Sequence, residues 1–212
     1  MNIIQVEIWS DVVCPFCFLG KKNFEAAVKA YGGTSKIEYV WRSFELDPSS
    51  AKSQKISIYD VLARKYGRTI EWAKETNKRL VESGKAVGID FNFDAIVPTN
   101  SFDAHRLMQF ARTENKQNEV AELLFKSYFC DGKDIADHSV LLSLATQAGL
   151  STDRAKQVLE SAEFTNEVRG EESEAQELGL SGVPAFVINR KYLVSGAQPV
   201  EAFLEVFKES EE

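Results

Sequence analysis

The sequence predicts an α/β protein in which strand–helix units at the two ends of the chain enclose a long, all-helical middle. Three observations carry this. An extended apolar run, Ile3 to Trp9, passes directly into a helical pattern after Gly20. Between Asp47 and about Gly170 every periodic segment is helical. Strand character returns only at Ala185, followed by a tight turn and one last helix.

Taken in order, Ile3 to Trp9 is rich in β-branched and aromatic residues, as a buried strand is. Apolar residues at Phe24, Ala27, Val28 and Tyr31 then mark one face of an amphipathic helix. Tyr31-Gly32-Gly33-Thr34 is a stop-and-turn signal, with glycine available for a left-handed residue past the helix end. Ile37 to Phe44 reads as a second strand, and a strand–helix–strand unit of this size implies parallel pairing. Helices are expected over Ser57–Tyr66, Ile70–Val87, Phe102–Arg112, Glu119–Phe129, Ser139–Ala148 and Arg154–Glu160, with Gly88–Pro98 irregular. A helix over about Ser161–Leu178 leads to Ala185–Ile188, a turn at Asn189-Arg190-Lys191, and Tyr192–Val194, an antiparallel hairpin. Val200–Phe207 closes the chain as a helix. The expected division is 1–46 with 171–212 as one domain and 47–170 as a helical insertion.

Composition excludes several functions. Net charge is −7, from 25 Lys+Arg against 32 Asp+Glu, which argues against a nucleic-acid surface. The acidic cluster Glu171-Glu172-Ser173-Glu174 reads as a solvated helix face. No apolar run approaches the ~18 residues of a membrane helix. The start of the chain lacks a basic segment before its apolar run, and three cysteines in 212 residues fit a reducing compartment, so the expected location is cytoplasmic.

Two of those cysteines, Cys14 and Cys17, stand two residues apart between the first strand and the first helix. Proline is best tolerated in a helix's first turn, so Pro15 argues that the helix begins there and that Cys14 is its N-cap. Unpaired backbone N–H groups and the positive end of the helix dipole then favour a thiolate on Cys14. Cys17, one turn further in, is placed to attack a mixed disulfide on Cys14. The competing reading, half of a zinc site, lacks a second pair: a structural site needs four ligands, and only Cys130, His105 and His138 remain, scattered through the helical region. Cys130 by itself reads as a small apolar filler, with a third redox thiol as the alternative.

The order of elements, with Cys14-Pro15-Phe16-Cys17 after the first strand and Gly182-Val183-Pro184 before the third, resembles the thioredoxin fold with a large all-helical insertion, as in the DsbA-like thiol-disulfide oxidoreductases. Within them, Cys14-Pro15-Phe16-Cys17-Phe18-Leu19-Gly20, Pro98 to Leu107, Gly182 to Ile188 and Ser195-Gly196-Ala197-Gln198 resemble the FrnE-type predicted dithiol-disulfide isomerases. The resemblance implies Cys14 as nucleophile, Cys17 as resolving thiol and a cis Val183–Pro184 bond whose loop binds substrate. It implies no metal and no bound cofactor, with glutathione as a candidate redox partner. Substrates would be proteins or small molecules bearing thiols or disulfides, handled by a monomer or homodimer.

Pro15 and Phe16, between the cysteines, are candidate substrate contacts, Phe16 as an exposed apolar group. The Pro-Phe spacer supplies no positive charge, which predicts a potential between the extremes of the fold. Asn100 and His105 read either as a helix cap and a partly buried histidine, or as a segment covering the active-site cleft and choosing substrates. Trp9 and Trp41 read as core, and Asp11 either as a cap on the active-site turn or, if buried beside Cys14, as a charge that raises that thiol. The alternatives are a glutathione-dependent isomerase or transferase of the kappa-like class, which carries serine where this chain has Cys14, and a redox-silent interaction module.

Overall fold

The computed structural model describes residues 2–211. They form two compact units, one of residues up to Leu46 together with Val168 onward, the other Asp47–Glu167.

In the first unit, strand β1 (Ile3–Ser10) is followed by helix α1 (Pro15–Ala30) and strand β2 (Lys36–Ser43). β1 and β2 pair in parallel, from Ile3↔Lys36 to Ser10↔Ser43. The chain returns with β3 (Ala185–Ile188), antiparallel to β1, and β4 (Tyr192–Ser195), antiparallel to β3, giving the order β2-β1-β3-β4. The β3–β4 turn needs left-handed backbone at Asn189 and Arg190, with φ of 51° and 56°. Asparagine tolerates that conformation, and Asn189 Oδ1 also accepts from the Gln5 N–H at 2.9 Å.

Side chains alternate across the sheet, so each face builds its own core. On one face Phe24 of α1 stacks on Phe186 and meets Phe203 of the last helix, Val200–Glu209, edge-on at 5.6 Å. On the other, Trp9, Ala185 and Val187 pack with Ala175 and Leu180 of the segment running from the helix Thr165–Glu177. Trp9 and Trp41 are buried, as expected of core.

Two expectations fail here for definable reasons. The first helix does not end on a left-handed glycine: its cap Tyr31 is extended, with φ −65°, and Gly32 and Gly33 are absent from the positive-φ residues. A Cβ on Gly33 would fall 2.2 Å from Tyr31 Oη, so a larger residue there would have to displace that ring. The acidic cluster is not a solvated face. Glu171 is buried, its carboxylate accepting from Arg42 Nη1 at 2.9 Å and from the Ser43 N–H at 2.7 Å. Glu172 pairs with Arg169 and Glu174 with Arg190.

The second unit is helical: α2 (Ile58–Tyr66), α3 (Ile70–Ala86), a single 3-10 turn at Phe93–Ala95, α4 (Phe102–Thr113), α5 (Gln117–Phe129), α6 (His138–Gln147) and α7 (Thr152–Glu160). The 3-10 turn lies inside the stretch read as irregular. Ser57, Thr69, Asp137 and Ser151 cap their helices by accepting backbone N–H groups. α6 stops on Gly149 at φ 79°, as its sequence predicts. Helix α4 is the centre of this unit, buried without a break from Ala104 to Ala111. Arg106 is tolerated there because it pairs with Asp103 and donates to the Val158, Ser161 and Glu163 carbonyls around the end of α7. The final helices, Thr165–Glu177 and Val200–Glu209, are α8 and α9. Among the described residues no helix is long and apolar enough to cross a membrane.

Candidate active site

Helix α1 begins at Pro15, and Cys14 is its N-cap in extended conformation, φ −96° and ψ 116°. The turn leading into it is held by Asp11. The Asp11 carbonyl accepts from the Cys14 N–H at 3.0 Å. Its carboxylate, fully buried, accepts from the Val13 N–H at 3.3 Å and from the Leu46 N–H, just past β2, at 2.8 Å. Asp11 thus joins the ends of two parallel strands to the turn that presents Cys14.

Both cysteines are thiols in this structure. Cys17 is wholly buried one turn into α1, its N–H donating to the Cys14 carbonyl at 3.1 Å. Burial, and then the neighbouring Cys14 sulfur, push its thiol well above the ordinary range. Cys14 is also enclosed, 4% exposed, and its thiol lies 3.7 Å from the Val183 carbonyl, to which it donates.

The Val183–Pro184 peptide bond is cis. Val183 packs its side chain against the Trp9 core, which aims its carbonyl at Cys14. The Pro184 carbonyl accepts from the Gly196 N–H at 2.8 Å. On its other side Pro184 meets α1 at Gly20, where a Cβ would lie 2.9 Å from Pro184 Cγ and 3.5 Å from Ala197 Cα. Asn23 of α1 donates to the Gln198 carbonyl at 2.9 Å. The stretch Ser195-Gly196-Ala197-Gln198 therefore fixes the proline loop against the helix that carries the cysteines.

Phe16, between the cysteines, is 50% exposed, and Pro15 is half-buried. Cys14, Cys17, Pro15, Phe16, Val183 and Pro184 thus gather at one end of the sheet. Asn100 and His105 lie in the second unit. Asn100 Oδ1 accepts from the Phe102 N–H at 2.9 Å, whereas Ser101, the residue at the N-cap position of α4, makes no side-chain cap. His105 is more than partly covered, at 3% exposure. His138 starts α6 and bonds Asp103 through Nε2 at 2.8 Å. Cys130 is partly covered, and burial followed by the Asp131 charge raises its thiol, the direction opposite to activation.

This geometry coincides with a match of residues 5–208 to the DSBA-like thioredoxin domain family. The chain belongs to that family. The crystal structure of a probable DsbA oxidoreductase from Streptomyces coelicolor is 34% identical and superposes with a TM-score of 0.91, covering 98% of this chain and 90% of that one. The uncharacterized protein YwbO of Bacillus subtilis is 28% identical over 202 residues, 94% of each chain. The cytosolic disulfide reductase DsbM of Pseudomonas aeruginosa, in its structure with GSH, is 14% identical with a TM-score of 0.65, covering 98% of this chain and all of that one, and speaks for the fold alone. The DSBA-like chain is therefore a thioredoxin-fold protein with a helical insertion.

The cysteines, Pro184 and the capping of the active-site turn by Asp11 are legible in the sequence; the tie from Asp11 to Leu46 and the tasks of Gly20 and Ser195–Gln198 are not. Glycine one turn after Cys17 was the available signal, since glycine inside a helix marks a close approach as often as a break.

Proposed function

We propose that the protein is a dithiol–disulfide oxidoreductase or isomerase in which Cys14 attacks and Cys17 resolves. The observation that carries this is the asymmetry of the pair. Cys14 stands at the N-cap position of α1, where its side chain makes no cap hydrogen bond, and faces the Val183 carbonyl, while Cys17 is sealed behind it and held as a thiol. In the reducing direction the Cys14 thiolate attacks a substrate disulfide, forming a mixed disulfide and expelling one substrate thiolate. Cys17 then gives up its proton and attacks Cys14 Sγ, so that the Cys14–Cys17 bond forms as the bond to substrate breaks. The oxidising direction is the reverse.

Substrate is bound beside the cis-proline loop, with Phe16 and Pro15 as apolar contacts. Asn100 and His105 serve the second unit itself, Asn100 capping the start of α4 and His105 buried within that helix. Substrates are chains or small molecules bearing thiols or disulfides, and the setting is a reducing compartment. No organic cofactor takes part beyond the dithiol.

Insulin reduction and refolding of scrambled ribonuclease, each with wild type, Cys14→Ser and Cys17→Ser, test the proposal. Loss in both variants supports it. Activity that survives Cys17→Ser but requires glutathione moves the reading to a glutathione-dependent isomerase or transferase, and inactive wild type leaves an interaction module.

A further inference from the structure

Ser10 is the last residue of β1, in register with Ser43. Its neighbour Trp9 points to α8, donating its Nε1–H to the Glu171 carbonyl at 3.0 Å. By alternation Ser10 points the other way, with Ile8 and its cross-strand partner Phe186, onto α1. Ser10 is 4% exposed, and among the described residues its Oγ makes no well-formed hydrogen bond. A buried hydroxyl without a partner is uncommon and unfavourable. Beside it lies Cys17, whose sulfur is within reach of the Ser10 hydroxyl and the Asp11 N–H, both of which favour the charged form of that sulfur.

We propose that the Ser10 hydroxyl is the hydrogen-bond donor that receives negative charge on Cys17 during the redox step. This deepens the dithiol reading and rests on it. Cys17 must carry charge at two moments. It does so as the attacking thiolate, after its proton has passed to solvent base, and as the leaving thiolate when a substrate thiolate attacks Cys14 Sγ of the oxidised pair. In the first case the Cys14–Cys17 bond forms, the Cys14–substrate bond breaks, and the departing substrate sulfur takes up a proton. Ser10 is not consumed in either direction. It only turns its O–H toward the sulfur. A hydroxyl bonded elsewhere would have to break that bond first; Ser10 has none to break. Because burial sets Cys17 against ionisation, one aimed donor weighs more there than in water.

An aromatic nitrobenzoate disulfide, whose thiolate product is coloured, separates the steps in stopped flow. In wild type the first phase reports attack by Cys14, and the second reports resolution by Cys17. Cys17→Ser should show the first phase alone. Ser10→Ala should keep the first rate within about twofold and slow the second about tenfold near neutral pH, the size of one charge-assisted hydrogen bond. The gap should close at high pH, where Cys17 ionises unaided, and Ser10→Thr should recover most of the second phase. An unchanged second phase in Ser10→Ala, or both phases slowed alike at every pH, overturns the role of Ser10. A wild type without a second phase overturns the dithiol reading itself, and the role of Ser10 with it.

Discussion

Gly20 and Pro184 are packed with no room for a side chain on the glycine: a Cβ on Gly20 would stand 2.9 Å from Pro184 Cγ. The proline ring is no flexible tip that can swing aside. The Pro184 carbonyl is held by the Gly196 N–H, and the ring follows directly on the Val183 carbonyl that meets Cys14. The contact therefore sets the spacing between the helix that carries both cysteines and the loop opposite them.

Gly20→Ala tests that spacing. Alanine should gain up to about 1 kcal/mol in helix propensity. Overpacking against Pro184, Phe186 and Ala197 costs about 1–3 kcal/mol, so the net effect should be a loss of stability. We expect a lower urea midpoint together with slower reduction of insulin disulfides. A variant as stable as wild type and fully active would show that the helix and loop can part without consequence.

The two thiols should differ sharply in alkylation. Cys17 is wholly buried and its thiol is raised far above the ordinary range, so it remains protonated where free cysteine is partly ionised. Reduced protein treated with iodoacetamide at about pH 8 should carry the label on Cys14 and little on Cys17. Fragmentation of the peptide that holds both cysteines distinguishes the sites. Comparable labelling of the two would remove the asymmetry on which the attacking and resolving roles rest.

The parts of this site that depend on a residue type at a fixed local place were legible in the sequence. Pro15 is best tolerated in a helix's first turn, which put Cys14 at the cap, and Gly182-Val183-Pro184 stood at the head of a strand. The parts that depend on a distant partner were not legible. Gly20 shows its purpose only when Pro184, far along the chain, is brought beside it. Ser195–Gln198 was visible as a pattern, but its support of the Pro184 loop arises only once the sheet has formed. Glu171 sits in a run of acids whose composition suggests water, yet its partner Arg42 is 129 positions away. Helix starts moved by one or two residues where capping, rather than periodicity, decided them, as at Ser57 and Ser151.

Glu171 is consequently a structural carboxylate, and its removal should be felt. Side chains on both sides of the Arg42–Glu171 pair are largely covered, 17% and 7% exposed. Glu171→Ala removes the carboxylate that accepts from the Ser43 N–H and, among the described residues, leaves Arg42 paired with Glu7. We expect a loss of about 2–4 kcal/mol in chemical denaturation. Glu171→Gln, which can still accept from the Ser43 N–H, should fall between. A change within about 0.5 kcal/mol would restore the solvated-face reading.

The same charge network should make stability fall in acid in a way that can be assigned to Glu7. Burial by itself raises the Glu7 carboxyl, but the Arg190 and Arg42 guanidiniums outweigh it and hold the group below the usual carboxylate value. The unfolded chain therefore takes up this proton first as pH drops, near ~4.3. The contribution of Glu7 is fully present above that pH and is lost as pH falls through the lower, folded value. Other carboxylates titrate in the same range, so the informative quantity is a difference. The gap in urea midpoint between wild type and Glu7→Gln should be constant from about pH 7 to about pH 5 and narrow steadily below that. A gap independent of pH would mean that Arg42 and Arg190 hold Glu7 by shape and hydrogen bonding without favouring its charge.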